Sequence, residues 1–424
     1  MQSILGRALL PAALTALAAG SASGGASCAR DIDCQINGAC VAGACECSRG
    51  WAGASCGVLS LEPAHAGAGF GSLSSPVSSW GAGAAYDPSS GKYVMMVDEM
   101  SLGCGLETWQ TNSHCVLATS ESPLGPYVKQ KVLLDAWCHG SSVARDPASG
   151  RWVFMHMGNS QPSVDSCVAT CANGITPANK ATGACEHDGV VPYTQGAFVT
   201  VGSDPLGPYV AAPKLRDGAN CEPLFLTNGT LFFACPMGGP SSAPNCGSPG
   251  QNAFLHVFRA ESLDEAIAGN DVELPLTYVP AGSDAPSEVM CVNWEDQNLW
   301  VDERGYFHTL MHAFRGQNTS YPLPGCFDSG DGRGFQPANC TSLGGHAFSE
   351  DGAHWWISPV PAYTSNVTYD DGSVVPFRAR ERPHILTAPD GGHFFISAVG
   401  NPGQGGNTGV DGADHTFTLI QQLQ

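Results

Sequence analysis

The sequence predicts an all-β protein, a five-bladed β-propeller preceded by a small disulfide-rich module. Three observations carry this. Six cysteines crowd into residues 28–56, and a hairpin motif recurs five times after them. Glycine (53) and proline (30) are abundant while charged residues make up only 13%, a composition that favours strands and turns over long helices. With 43% of its 424 residues hydrophobic, the chain can bury a large core.

The N-terminus reads as a signal peptide over residues 1–22. Arg7 supplies the positive region, Ala8 to Ala19 form an apolar run too short to span a bilayer, and Gly20 and Ala22 offer small residues for cleavage. Eighteen cysteines fit an oxidising compartment, and four N-x-S/T sequons begin at Asn228, Asn318, Asn339 and Asn366, so a secreted, extracellular glycoprotein is expected. No later stretch reaches 18 apolar residues, and a membrane span is not expected. Asp+Glu (38) outnumber Lys+Arg (18) for a net charge of −20. Such a surface repels phosphate backbones, which argues against a nucleic-acid partner.

Cys28, Cys34, Cys40, Cys45, Cys47 and Cys56 include a C-x-C pair followed, after eight residues, by a last cysteine. Spacing alone allows fifteen pairings. A zinc site is the competing reading, but no histidine lies in the cluster. The pattern resembles an EGF-like module over residues 23–57, and the resemblance implies the pairs Cys28–Cys40, Cys34–Cys45 and Cys47–Cys56. Calcium is not expected there, although Asp31 and Asp33 are near. Residues 58–78, rich in Gly, Ala and Ser, read as a linker.

Residues 79–424 hold the repeat. AAYDPSSGKYVMMV (from Ala84), VARDPASGRWVFMH (Val143), LFLTNGTLFFAC (Leu224), LWVDERGYFHTLMH (Leu299) and ILTAPDGGHFFISA (Ile385) each place a polar turn between two apolar strands. CVLATSESPLGPY (Cys115) and FVTVGSDPLGPY (Phe198) add a third strand and another turn, as does GHAFSEDGAHWW (Gly345). Units of about four antiparallel strands, five in number, bury both faces when packed radially. A pair of β-sandwiches is the alternative. ESLDEAIA (Glu261) predicts one short helix.

If the first strand of each blade lines the channel, the residue seven before each turn sits near its mouth. Counting back gives Trp80, His139, Cys221 or Glu222, Glu295, and Arg382 or Pro383. The second strands return Glu99, His156, Cys235–Pro236, His312 and Asn401 to the same face. The loops after them are long, roughly 99–113, 159–192, 236–251 and 315–343, and nine of the twelve remaining cysteines lie in or beside them, which marks this face as functional. Trp294-Glu295-Asp296 and Arg380-Glu381-Arg382 put charges at strand starts. They suit either a salt-bridge network between blades or recognition of a sugar, with carboxylates for its hydroxyls and a Trp face to stack on. Paired carboxylates also serve as general acid and base. His308 and His312 fall on one face of a strand and His346 starts the next, but a lone histidine is ordinarily a hydrogen-bonded polar residue, and no metal is expected from these three. No G-x-S-x-G, H-E-x-x-H or P-loop occurs.

The hairpin series with Ser122-Pro123-Leu124-Gly125-Pro126-Tyr127, Asp204-Pro205-Leu206-Gly207-Pro208-Tyr209, Trp294-Glu295-Asp296 and Glu381-Arg382-Pro383 resembles the five-bladed propeller glycoside hydrolases of family 43, the arabinanase and β-xylosidase group. The resemblance implies an Asp base at blade one, an Asp at blade two and a Glu acid at blade three. Glu222 matches the last; blade one offers Ser79-Trp80 and blade two Cys138-His139. Glu99, Glu295 or Asp296 would then supply the base, with Trp80, His139, His156, His312, Glu381 and Arg382 binding substrate. Calcium in the channel is allowed by the resemblance, though no motif here asks for it and no cofactor is otherwise expected. The expected function is a secreted glycoside hydrolase-like protein acting on a polysaccharide, as a monomer with carbohydrate as its partner. The alternative is a catalytically silent glycan-binding or adhesion protein of the same fold.

Overall fold

The structure is a computed structural model and describes residues 27–106, 109–135, 137–158, 196–211, 214–216, 218, 220–238, 253–279, 294–313, 343–401 and 414–424. The signal peptide, the loops 159–192 and most of 236–251 and 315–343, and the sequons at Asn318 and Asn339 lie outside the described residues.

Five antiparallel sheets follow one another along the chain. Blade one is Ser79–Asp87, Lys92–Met100, Ser113–Ser120 and Val128–Leu134; blade two is His139–Arg145, Trp152–Met157, Phe198–Gly202 and Tyr209–Ala211. Blade three is Glu222–Phe225, Leu231–Gly238, Ala253–Ala260 and Val272–Glu273. Blade four is Trp294–Val301, Phe307–Ala313, Leu343–Ser349 and His354–Ile357, with Thr277–Val279 added in parallel at its outer edge. Blade five has three strands of its own, Ala379–Thr387, His393–Gly400 and Thr416–Gln422. The fold is thus the five-bladed propeller that the hairpin count predicts. The helix signal becomes Leu263–Ile267, with Ser262 Oγ accepting from the Glu265 backbone N–H.

The hairpin turns form for a local reason. Asp87, Asp146, Asn228, Asp302 and Asp390 each accept a backbone N–H two residues on, at 2.9–3.0 Å. Between the turns, the second strand of blade one reads Tyr93-Val94-Met95-Met96-Val97 without polar alternation because both its faces are covered. Val94 and Met96 pack on Val143 and Phe154 of blade two, and Met95 and Val97 on Leu386 and Ile396 of blade five.

Chain before blade one closes the ring. Phe70 exchanges both backbone hydrogen bonds with Thr418, at 2.9 and 3.1 Å, and Leu61 bridges Leu423, so residues 61–70 take the outer position of blade five. The stretch 58–78, read above as a linker, therefore runs packed along the propeller's last strand. The N-terminal module carries the three disulfides implied by the EGF-like resemblance. It docks on the face of the hairpin turns. Arg304 of blade four donates to the carbonyls of Ile36 and Gly38, Gly50 N–H donates to Gln424 O at 2.6 Å, and the Trp51 ring lies 4.7 Å from that of His346. Between described residues, two further disulfides brace the opposite face: Cys115–Cys138 joins blade one to blade two, and Cys221–Cys235 joins the first two strands of blade three. Among the described residues no helix is long and apolar enough to cross a membrane.

A candidate carboxylate site at the channel mouth

All five innermost strands begin around a residue in the left-handed backbone region: Gly81 (φ 84°), Gly140 (62°), Asn220 (49°), Asp296 (61°) and Arg382 (54°). In blades one, two, four and five the strand register slips at this point. A bulge there turns consecutive side chains toward the channel instead of alternating them across the sheet. It explains why Glu295, Asp296, Glu381 and Arg382 meet at one place.

Arg382 organises the centre. Its Nε lies 3.2 Å from Asp296 Oδ1. Its side chain crosses Gly81, where an added Cβ would sit 2.8 Å from Arg382 Cγ, and reaches Gly140, where a Cβ would sit 3.1 Å from Nη1. Asp98, fully buried at the end of the second strand of blade one, lies within its field and accepts the backbone N–H groups of Gly140 (2.8 Å) and Ser141 (3.1 Å). Burial outweighs these contacts and pushes the Asp98 carboxyl up to about 6.

Around Arg382 stand three more ionisable groups from blades four and five. His312 Nε2 lies 3.4 Å from Glu381 Oε1, and its Nδ1 3.8 Å from Glu295 Oε1. Burial, opposed by Arg382, pushes Glu295 and Asp296 up to about 7, and Glu381 likewise, with Asp296 and Glu295 adding like charge beside Glu381. Asp296 is buried, and its Oδ2 has no hydrogen-bond partner among the described residues, whereas Glu295 keeps 29% of its side chain exposed and Glu381 18%. Two carboxyls thus still meet water while holding raised affinity for a proton.

Glu222 sits on the neighbouring strand. Its Oε2 accepts from Asn298 Nδ2 at 2.7 Å and lies 3.2 Å from His384 Nδ1. Asn220 Nδ2 returns the link, donating to Asp296 Oδ1 at 2.9 Å. Each strand of the pair thus lends an amide to the other's carboxylate. Asn298 Oδ1 also accepts the Ile385 N–H, which fixes the amide's orientation.

Glu295, Asp296, His312 and Glu381 offer one ligand atom each within 4.8 Å of one another. Four ligands, one of them nitrogen, do not match the six to eight oxygens that calcium takes. The calcium that the family resemblance allows finds no fitted site in this cluster, and no step below is routed through a metal.

The structure brings Glu295, Asp296, Glu381, Arg382 and His312 together, and holds Glu222 on the adjacent strand against Asn298 and His384. The other expected residues stand differently. Glu99 is a correction: it accepts from Lys129 Nζ at 2.6 Å and lies 2.8 Å from His114 Nε2, bound to the outer strands of its own blade. The two acids at the end of this strand point to opposite faces of the sheet, and it is Asp98 that reaches the centre. Trp80 is a second correction, because it is only 3% exposed, packed among Met100, Cys104, Leu106, Ala379 and Ala398, and has no open face for a sugar. His139 is buried against Trp109, with Ser113 Oγ 2.8 Å from Nδ1, and burial holds its pKa well below the ordinary value. His156 is buried and stacked on Phe198, its pKa lowered to about 4. His156 is thus part of the blade wall, whereas His139 Nδ1 lies 3.7 Å from Asp98 Oδ2, behind the Arg382 centre. Of the histidines weighed for metal, His308 and His346 pair with each other at 3.2 Å on the turn side, apart from His312. Asp98, Asn220 and Asn298 were missed by sequence reasoning. Their only signal is a polar residue in an otherwise apolar channel strand.

No protein-family profile matches the chain, and no curated protein does. Solved structures are similar to it in fold. One is the α-L-arabinofuranosidase PaAbf62A from Podospora anserina in complex with cellotriose (TM-score 0.47, 11% identity, covering 82% of this chain and 91% of that one). Another is the GH43_1 enzyme from Xanthomonas citri complexed with xylotriose (0.47, 11%, 82% and 88%). A third is Zg3597, a family 117 glycoside hydrolase from the marine bacterium Zobellia galactanivorans (0.46, 10%, 83% and 86%). The chain is similar to these glycoside hydrolases in fold, and what its own mouth can do rests on its own residues.

Proposed function

We propose that the protein is a secreted glycosidase-type enzyme acting on a polysaccharide at the channel mouth. The observation that carries this is the pairing of two kinds of carboxyl on adjacent strands. Glu295 is partly exposed and raised to about 7, so it holds a proton near neutrality. Glu222 is presented as an acceptor by Asn298. In the reaction, Glu295 hands its proton to the glycosidic oxygen as the C–O bond breaks. Glu222 takes a proton from the water whose oxygen bonds to the sugar carbon. This reverses the role that family resemblance implies for Glu222, on the ground that burial raises the blade-four carboxyl. Glu381 and Arg382 would bind substrate hydroxyls beside them.

A panel of aryl-glycosides and neutral polysaccharides tests the reading. Glu222→Gln and Glu295→Gln should each cut turnover by roughly 100-fold or more. A second reading, glycan binding without cleavage, is favoured by blade one, whose Ser79 and Trp80 are both buried and supply no base. Wild-type protein that binds polysaccharide but releases no sugar from any substrate would establish that reading instead.

A further inference from the structure

The channel has a second end. On the hairpin-turn side, where the N-terminal module closes over the propeller, lies a cavity of about 1050 Å³. All five innermost strands line it, and the module adds Arg49 and Trp51. Its size matches or slightly exceeds that of pockets that enclose small ligands. Its walls are preformed, since Arg304 and the Gly50–Gln424 and Leu59–Ala362 backbone bonds fix the module in place.

The lining has the chemistry of sugar recognition. Trp300 is half-buried and stacked 5.1 Å from His308; Trp51 is half-buried against His346; and the two histidines stack on each other at 5.5 Å. The Trp300 indole is therefore backed by a stacked imidazole, and Trp51 rests tilted against His346. Arg49 and Arg145 are exposed and make no ion pair among the described residues, in a chain with twice as many acids as bases. Asp302 on the lining is paired with Arg304, which leaves Glu303 as the opposing carboxylate. We propose that this cavity is a second carbohydrate site that takes an acidic sugar, its ring against the indoles and its carboxylate on the guanidinium groups of Arg49 and Arg145. The EGF-like module then completes a binding site instead of serving as a spacer. The cavity adjoins the Glu222 end of the mouth through Asn298 and His384, which line it and also contact Glu222, but Glu295, Asp296, Glu381 and Arg382 are not in its lining, and the proposal stands whether or not the mouth cleaves.

Calorimetric titration of the full-length protein with a galacturonic-acid hexamer and with xylohexaose tests it. The uronate hexamer should bind at least tenfold more tightly than the neutral one, and Arg49→Ala/Arg145→Ala should weaken it at least tenfold with an unchanged melting temperature. Glu295→Gln, at a mouth residue outside the cavity lining, should leave it unchanged. Equal binding of the two hexamers, no binding of the uronate, undiminished binding by the arginine variant, or loss in Glu295→Gln instead would each overturn the proposal.

Discussion

Arg382 Nε and Asp296 Oδ1 meet at 3.2 Å at the channel mouth, and both residues hold left-handed backbone that neither favours intrinsically. The pair persists because what surrounds it over-determines it: Asn220 donates to the same Asp296 oxygen, and Asp98, Glu295 and Glu381 surround the guanidinium. Removing the cation leaves those acids uncompensated. Arg382→Met should cost about 3 kcal/mol or more, read from the urea midpoint, and Arg382→Lys should recover only part of it.

Gly81 serves that arrangement twice, by its φ of 84° and by the space it leaves for Arg382. Gly81→Ala should lose about 1–3 kcal/mol and disturb the mouth. Gly91→Ala has a similar φ of 73° but meets only the Tyr86 hydroxyl at 4.0 Å, so it should cost about 1 kcal/mol and leave any glycan binding intact.

Burial raises the Glu381 carboxyl from 4.5 to about 7. The native protein therefore keeps a proton that the unfolded chain has released between those pH values, and this group's contribution to stability falls as pH rises through that window and levels off above it. Glu381→Gln should gain stability relative to wild type from pH 4.5 to 7.5 and show no such gain below it. The buried histidines 139 and 156 act in the opposite sense, but they are common to both proteins and cancel in the difference. A flat difference in urea midpoints across this range would contradict the assignment.

Asn298 positions Glu222 without touching the reacting atoms. Asn298→Leu should lower turnover about tenfold or more through kcat, or weaken glycan binding if the mouth only binds, and should cost about 1–3 kcal/mol by stranding the Ile385 N–H.

Cys115–Cys138 bridges blades one and two across 23 residues of chain. The double alanine variant should lose about 3 kcal/mol, seen as a lower melting temperature.

Much of the fold was legible because it is local. An Asx turn between two apolar runs announces each hairpin, and counting back from it reaches Glu222, Glu295 and Arg382. The failures have one cause each. At the end of Lys92–Met100 both faces of the strand are apolar, so nothing in the sequence tells which of Asp98 and Glu99 points inward. The bulge at Gly81 leaves Trp80 packed between blades. The Asn220–Asp296 and Asn298–Glu222 links join residues 76 apart in sequence, with no pattern to announce them. The outer strand of blade five comes from a Gly- and Ser-rich stretch that reads as a spacer, because its pairing partner lies about 350 residues downstream.

That distant partner has a consequence for how the molecule is made. Phe70 leaves the ribosome about 350 residues before the edge it must join, Thr416–Gln422. The three disulfides of the head close within its own thirty residues, but its contact with Gln424 can form only once the strand Thr416–Gln422 has been made. Completion of the ring therefore waits on Thr416–Gln422, and a chain halted before that strand would leave Phe70 without its backbone partner Thr418.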